Sequence, residues 1–463
     1  MSARAYKAGL LASAVVLLGL VSRFQGSLNQ QRAQPELGLT RGVGLGSNAP
    51  PVLAFTTVAL GGFRGLIANA LWIRANDLQQ DGKYFEMVQL ADWITKLEPG
   101  LAQVWVIQAW NMAFNISVKF PNPYDRWRWV RRGIELLRDE GLRYNPREAL
   151  IYRELAWFFQ FKMGQNMDDA HMVYKQEWAK EMNTLLGSGR PDFKELIHPT
   201  TDDSRARAQR LREYYKMDPR KMKEADETFG PLEWRLPEAH AIYWAHVGLG
   251  ESKKKDLITL RRVVYQSMHM SVLRGRLMSI DPLRFGPDLT KIEQANSAYE
   301  LMIKDDVEMR DAIKRAHRNF LKELVYVLYA NNKLADAARW FKSIREQYPD
   351  SFPPGQTLDD YALQRIAGNL QELPHDRTKA ILEGLIGQYY SHLAADDDDR
   401  ALGFELFARK LWNAYAEKIK GQTQRLTMPP FQKMKEDVLA QFLDPTNGLP
   451  PEAAARLRTK LKF

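Results

Sequence analysis

Two apolar stripes set back to back between Ala316 and Pro349 constrain this 463-residue chain more than any other feature. In AHRNFLKELVYVLYANNKLADAARWFKSIREQYP, Leu321, Leu324, Val325 and Leu328 recur at i, i+3, i+4 and i+7, which is one face of a helix. Asn331-Asn332 interrupts that helix, because Asn tolerates the left-handed backbone that a helical hairpin needs at its turn. A second stripe follows at Leu334, Ala337, Ala338, Phe341 and Ile344, and Pro349 closes it. The small Ala337 permits close approach of the two helices, and Phe341 fills the space beside it.

The same spacing recurs upstream. Counting back from Pro99, a first unit starts near Ala68, with Leu71, Ala75 and Leu78 on its first helix. Gly82 stands at its turn, and Met87, Ala91 and Ile94 line its second helix. A second unit starts near Ala102 with Trp105, Ala109 and Met112; its turn is lengthened by Ile116–Tyr124, and its second helix spans Asp125–Tyr144. A third starts at Ala149 with Tyr152, Leu155, Ala156 and Phe159, turns at Gly164, and continues through Asp168–Leu186.

A large apolar residue, an apolar pair, Ala, an aromatic and then Pro, at these offsets, resemble the tetratricopeptide repeat in degenerate form. The resemblance implies an all-α solenoid of helical hairpins whose first helices line a concave groove for an extended peptide or partner helix. The family's groove offsets fall on Asn69, Trp72, Asn76 and Gln79, then Gln103, Val106 and Trp110, then Arg153, Trp157 and Gln160. The later repeat contributes Asn319, Lys322 and Tyr326. Amides hydrogen-bond a peptide backbone and indoles bury side chains at low entropic cost, so the implied partner is a protein. The family's fixed set of Lys, Asn and Arg for a terminal carboxylate is not reproduced.

The rest of the chain divides around these units. Residues 1–25 read as a membrane or signal segment, 26–51 as a Gln/Gly/Ser/Asn/Pro linker and 52–187 as the amino-terminal repeats. Residues 188–237 read as an irregular insertion, 238–420 as a second helical-repeat region and 421–463 as a helical cap or tail. Helices are expected at Leu257–Leu277 and Lys291–Ile303, with a loop at Asp281–Pro287 between them. No segment alternates apolar and polar residues far enough to require a sheet.

At the amino terminus, Arg4 and Lys7 precede AGLLASAVVLLGLV, an uncharged run ended by Ser22-Arg23. A helix over residues 5–24 would reach about 30 Å, with Lys7 and Arg23 snorkelling to the two interfaces. No small-x-small cleavage site follows, so the reading is a single uncleaved anchor, with a cleaved signal as the alternative. The slight excess of positive charge before the run puts the globular part on the extracytoplasmic, periplasmic side. A second apolar stretch, Val52–Ile73, reads as a cap on the first repeat through Val52–Leu60, with a second span over the whole stretch as the alternative.

The net charge of +10 is a weak signal once it is located. Arg4, Lys7, Arg23, Arg32 and Arg41 against Glu36 leave +4 before residue 48, and the other +6 is spread over more than 400 residues. Nucleic acid is therefore not an expected partner. The absence of cysteine removes thiol catalysis, thiolate metal sites and disulfides. Phosphate-cradling loops, the nucleophile elbow and HExxH are also absent, so neither a catalytic residue nor a cofactor nor a metal site is expected. An all-α enzyme using Glu238, His240 and His246 is the rival reading. Asp396–Asp399 suits the positive end of a helix dipole. In DRWRWVRR, Arg128, Arg131 and Arg132 lie within reach of Trp129 as a candidate anion patch, with Trp127, Val130 and Ile134 turned inward.

Overall fold

The computed structural model describes residues 63–462 apart from 166–167, 253–256, 368–374, 420–427 and 446–447, and also Val16, Leu17, Val21, Arg23, Phe24 and Ser27. The chain forms two compact units, residues 1–154 and 155–463, and among the described residues it is all-helical apart from one short hairpin.

In the first unit, α1 (Phe63–Gln80) and α2 (Tyr84–Leu97) form an antiparallel pair. Gly82 sits at φ 72° in the turn, and the Lys83 N–H reaches back 2.8 Å to the Leu78 carbonyl. This is the six-to-one bond that closes a helix whose next residue is left-handed. Ala75, Leu78, Met87, Ile94 and Val104 make the core beneath it. α3 (Ala102–Trp110) runs into a π-helical turn, Asn111–Ile116. α4 (Pro123–Glu135) is started by Asn122, whose side chain accepts the Tyr124 N–H, and it too ends in a π-turn, Leu136–Gly141. α5 (Ala149–Trp157), within which the division between the units falls, follows and continues as a third π-turn, Phe158–Met163.

The equivalence of these stretches extends to their hydrogen bonds. Trp105 Nε1 donates to the Pro99 carbonyl at 2.9 Å, and Tyr152 Oη donates to the Pro146 carbonyl at 3.0 Å. The same Ala-Trp pair (Ala109-Trp110 and Ala156-Trp157) stands before the first and the third π-turn, and each Trp stacks on the Phe four residues on.

The second unit holds α6 (His171–Leu186), α7 (Phe193–Ile197), α8 (Asp202–Glu213) and α9 (Pro219–Phe229). Residues 188–237, read as an irregular insertion with one short charged helix at Arg205–Tyr215, therefore carry three helices. They are specified locally, by a capping box at Thr201/Ser204 and by Asp218 before Pro219, and then by one buried carboxylate. Asp226 takes Arg190 at 2.6 Å, the Leu232 N–H at 2.8 Å and Trp234 Nε1 at 2.9 Å, which fixes the loop that follows α9.

α10 (Pro237–Glu251) and α11 (Ile258–Arg274) pack as a pair. Here an expectation fails. Helix α11 stops at Arg274, and β1 (Arg276–Ile280) and β2 (Leu283–Gly286) form an antiparallel hairpin with a bulge between Leu277 and Ser279. The expected helix to Leu277 and loop from Asp281 are corrected accordingly. Gly275 ends the helix, and strands of five and four residues are too short for alternation to register in sequence.

α12 (Ile292–Asp305) leads into α13 (Arg310–Ala330) and α14 (Leu334–Gln347), the hairpin expected from the Ala316–Pro349 stripes. Asn332 is left-handed at φ 58°, and the Lys333 N–H bonds the Leu328 carbonyl at 2.9 Å, as Lys83 does with Leu78. Ala337 and Ile344 are fully buried, and Phe341 packs on Phe352 and Tyr361. α15 (Leu358–Ala367) precedes α16 (His375–Ala394) and α17 (Asp398–Ile419), which repeat the turn once more, with Asp396 at φ 59° and Asp397 N–H on the His392 carbonyl. α18 (Phe431–Phe442) and α19 (Pro451–Leu461) pack against α16.

The proposed anchor over residues 5–24 lies almost wholly outside the described residues. Val16, Leu17, Val21 and Phe24 within it are helical and exposed. The linker at 26–51 and the first half of Val52–Ile73 also lie outside them. Among the described residues no helix is long and apolar enough to cross a membrane.

Candidate functional site

The first unit gathers the expected groove residues of its first helix into one place. Asn69, Trp72, Asn76 and Gln79 of α1 line a single open cleft of about 560 Å³, completed by Ile73, by Met87 of α2 and by Ile107 of α3. Their spacing explains this, since positions three and four apart share one helix face. The adjoining face of α1, at Ala68, Ala75 and Leu78, is buried in the core. Asn69, Asn76 and Gln79 are exposed, with Trp72 half-buried between them. The cleft thus offers three side-chain amides around an indole and three aliphatic walls. Its rim is apolar at Ile73, which is 68% exposed.

The remaining expected positions separate. Gln103 is exposed and Val106 half-buried, neither lining the cleft. Trp110 stacks on Phe114 at 4.2 Å and donates through Nε1 to Glu154 Oε2 at 2.7 Å. Arg153 pairs with the other oxygen of Glu154 at 2.5 Å, so one buried carboxylate ties Trp110 to Arg153. Glu154 was missed from sequence, although a signal exists. At the offset relating Pro99 to Pro146, it replaces the apolar Ile107.

In the second unit, Trp157 lies stacked on Phe161 at 4.6 Å. Gln160 is in the core rather than on a groove. Its amide donates to the Val263 carbonyl at 3.2 Å and to Ser267 Oγ at 3.1 Å, and α11 occupies the face that the repeat offsets leave open. Asn319 is exposed. Lys322 donates to the Ser351 carbonyl at 3.1 Å and lies over the Phe352 and Tyr361 rings. Tyr326 packs on Phe407 and under Arg365, so α15 and α17 cover this part of α13.

The basic stretch of α4 is not arranged for an anion. Trp127, Val130 and Ile134 are buried as expected. Arg128 pairs with Asp125 at 3.0 Å and Arg131 with Glu135 at 3.1 Å. Arg132 opens into a cleft it shares with Asp92, Glu135, Asp139 and Glu140. Trp129 packs against Phe85 and Phe120 instead of under a guanidinium.

The residues of the rival reading do not converge. Glu238 is held by Arg274 at 2.7 Å. His246 lies 3.9 Å from Glu224 and against Phe229. His240 is fully buried, stacked on Phe159 and edge-on to Trp234, and its Nε2 donates to the Trp234 carbonyl at 2.7 Å. The four consecutive aspartates each face a cation. Lys460 takes Asp396 and Asp398, Lys333 takes Asp399, and Arg276 and His392 take Asp397. Among the described residues no group of three potential ligands could hold a metal.

Burial pushes the imidazole of His240 down to about 4, against a smaller upward pull from the Trp234 carbonyl. Burial also pushes His317 to about 4, where its ring bridges Tyr348 Oη at 2.9 Å and Asn296 Oδ1 at 2.8 Å. Both are neutral in the fold, while the unfolded chain protonates near 6.5. Above that pH the stability is complete. Between 6.5 and 4 the unfolded state takes up protons that the folded state refuses, so stability falls as pH falls. Urea midpoints should decline from pH 7 to 5, and His317→Gln should flatten that decline whatever its midpoint at pH 7. An unchanged slope would contradict the assignment.

Compared with known protein families, curated proteins and solved structures, the chain matches none of them.

Proposed function

We propose that this protein is a membrane-anchored scaffold of tetratricopeptide-like helical hairpins that holds a segment of a partner protein, extended or helical, in the cleft of its first unit. The observation that carries the reading is the convergence of Asn69, Trp72, Asn76 and Gln79 on one open cleft beside Ile107. Side-chain amides can pair with the donors and acceptors of a peptide backbone, and a half-buried indole with aliphatic walls gives an anchor pocket for an apolar side chain.

Three hairpins closed by the same left-handed turn, at Gly82, Asn332 and Asp396, support a repeat origin and an α-solenoid arrangement. The uncharged run at Ala8–Val21 between Lys7 and Arg23 supports the anchor, with the globular part on the periplasmic side of an envelope assembly, secretion or export complex. On this reading the protein works by holding a partner rather than by catalysis.

The test is crosslinked co-purification from native membranes of the full chain and of Trp72→Ala and Asn76→Ala variants. Trp72→Ala should lower partner recovery about tenfold or more, the effect of losing a buried aromatic anchor. The circular dichroism should stay helical. Equal recovery by wild type and variant would remove the cleft from the binding surface.

A further inference from the structure

The second unit contains a cavity that the scaffold reading does not use. It measures about 410 Å³ and lies between the β1–β2 hairpin, the end of α16, the start of α17 and the first turn of α19. Arg284, Arg400 and Arg456 line it, and among the described residues no carboxylate does. Met278, Phe285 and Leu449 supply much of its apolar wall.

Its three guanidinium groups are differently placed. Arg456 spends its Nε on the Ala394 carbonyl at 3.0 Å, leaving its terminal nitrogens. Arg284 is exposed at the hairpin. Arg400 is largely enclosed, and a Cβ on Gly286 would lie 3.5 Å from its Nη1. Neither Arg284 nor Arg400 makes a hydrogen bond or an ion pair with any described residue. Burial pushes Arg400 below the usual guanidinium range, with Arg276 adding to the effect and the nearby Asp397 opposing it. Asp397 is the closest counter-charge, but it is already engaged by Arg276 at 3.3 Å and by His392 at 3.5 Å. The neighbouring Asp396 and Asp398 are taken by Lys460.

Enclosing a guanidinium without an acceptor is costly, since a buried charge is normally paired or hydrogen-bonded. A planar fork of donors facing a cavity is the arrangement that takes a carboxylate or phosphate. The volume lies in the range of small-ligand pockets, and the walls would bury an aliphatic or aromatic body. We infer that this cavity binds a small amphiphilic anion, an organic phosphate or carboxylate whose head meets Arg400 and Arg284 and whose apolar body lies against Met278, Phe285 and Leu449.

The experiment titrates the full chain, in a detergent-free amphipol preparation, with octyl phosphate, octanoate and octanol by isothermal calorimetry. Saturable one-site binding of an anion, with octanol at least about tenfold weaker, is expected from the charge-assisted contacts. The preference between the two anions tells whether the head is a phosphate or a carboxylate. Arg400→Met should weaken the bound anion about tenfold or more while leaving the helical circular dichroism intact, and Arg400→Lys should recover part of the loss. If Arg400→Met fails to fold, Arg284→Met on the exposed side of the cavity takes its place with the same expectation. Octanol binding as well as the anions, no saturable binding of either anion, or variants within twofold of wild type would each overturn the assignment.

Discussion

Gly403→Ala should destabilise the second unit by at least about 3 kcal/mol, the upper end of what one inserted methyl group costs in a packed interior. Gly403 lies in α17 against the carboxyl end of α13, and a Cβ built on it would stand 1.8 Å from the Ala330 carbonyl oxygen and 2.4 Å from its carbon. Both are backbone atoms held at the α13–α14 turn, so no side-chain rotation relieves the overlap. Either α17 or the turn must move. Because Asn331 and Asn332 close that turn with hydrogen bonds to Val327, Leu328 and Tyr329, moving it loses those bonds as well.

The contrasting substitution is Gly384→Ala in α16, where nothing lies within 4 Å of the added carbon. There the change should be neutral or stabilising by about 0.5–1 kcal/mol, since a helix-interior glycine gives up more conformational freedom than alanine. Thermal melts should therefore separate the two variants, with Tm falling by roughly 5 °C or more for Gly403→Ala and unchanged or raised for Gly384→Ala. Equal melts for Gly403→Ala and wild type would mean that α13 and α17 do not approach as closely as described.

What could be read from the sequence follows from the range of the interactions. The turns at Gly82 and Asn332 were legible because a left-handed residue between two amphipathic stripes is a local requirement. The cleft residues of α1 were legible for a related reason, because Asn69, Trp72, Asn76 and Gln79 share one helix face whatever packs elsewhere. Gln160 carries the same repeat offset, yet its face is closed by α11, with partners at Val263 and Ser267 about a hundred positions away. Lys322 and Tyr326 were lost from the groove in the same way, under α15 and α17. The expected stacking of Arg on Trp129 gave way to Phe85 and Phe120, which come from α2 and from the segment before α4. The cavity at Arg400 had no sequence signal at all. Arg284, Arg400 and Arg456 are far apart in the chain and meet only because a hairpin invisible to periodicity folds back beside α16 and α17.

Asp168→Asn should be strongly destabilising, because it removes the carboxylate charge that an enclosed ammonium group meets. Asp168 and Lys162 are 2% and 3% exposed, and their charges meet at 2.6 Å. The carboxylate also accepts the Ala170 N–H and Tyr174 Oη, each at 2.9 Å, at the start of α6. Burial alone would raise the Asp168 carboxyl. The bonds from Lys162, Ala170 and Tyr174 override it and hold the group well below the usual carboxylate range. A carboxyl depressed in the fold contributes fully above its unfolded value near 3.8 and loses that contribution as pH falls further. Asparagine keeps the shape and the acceptor oxygen but not the charge, so the expected cost is roughly 3–5 kcal/mol. The double variant Lys162→Met/Asp168→Leu should recover most of that loss, since both charges of the buried pair are then replaced together, although the bonds that Tyr174 and Ala170 make to the carboxylate are lost. The double-mutant cycle by urea unfolding measures the coupling directly. A coupling under about 0.5 kcal/mol would mean that the pair is solvated and that the π-turn Phe158–Met163 is not tied through it to the start of α6.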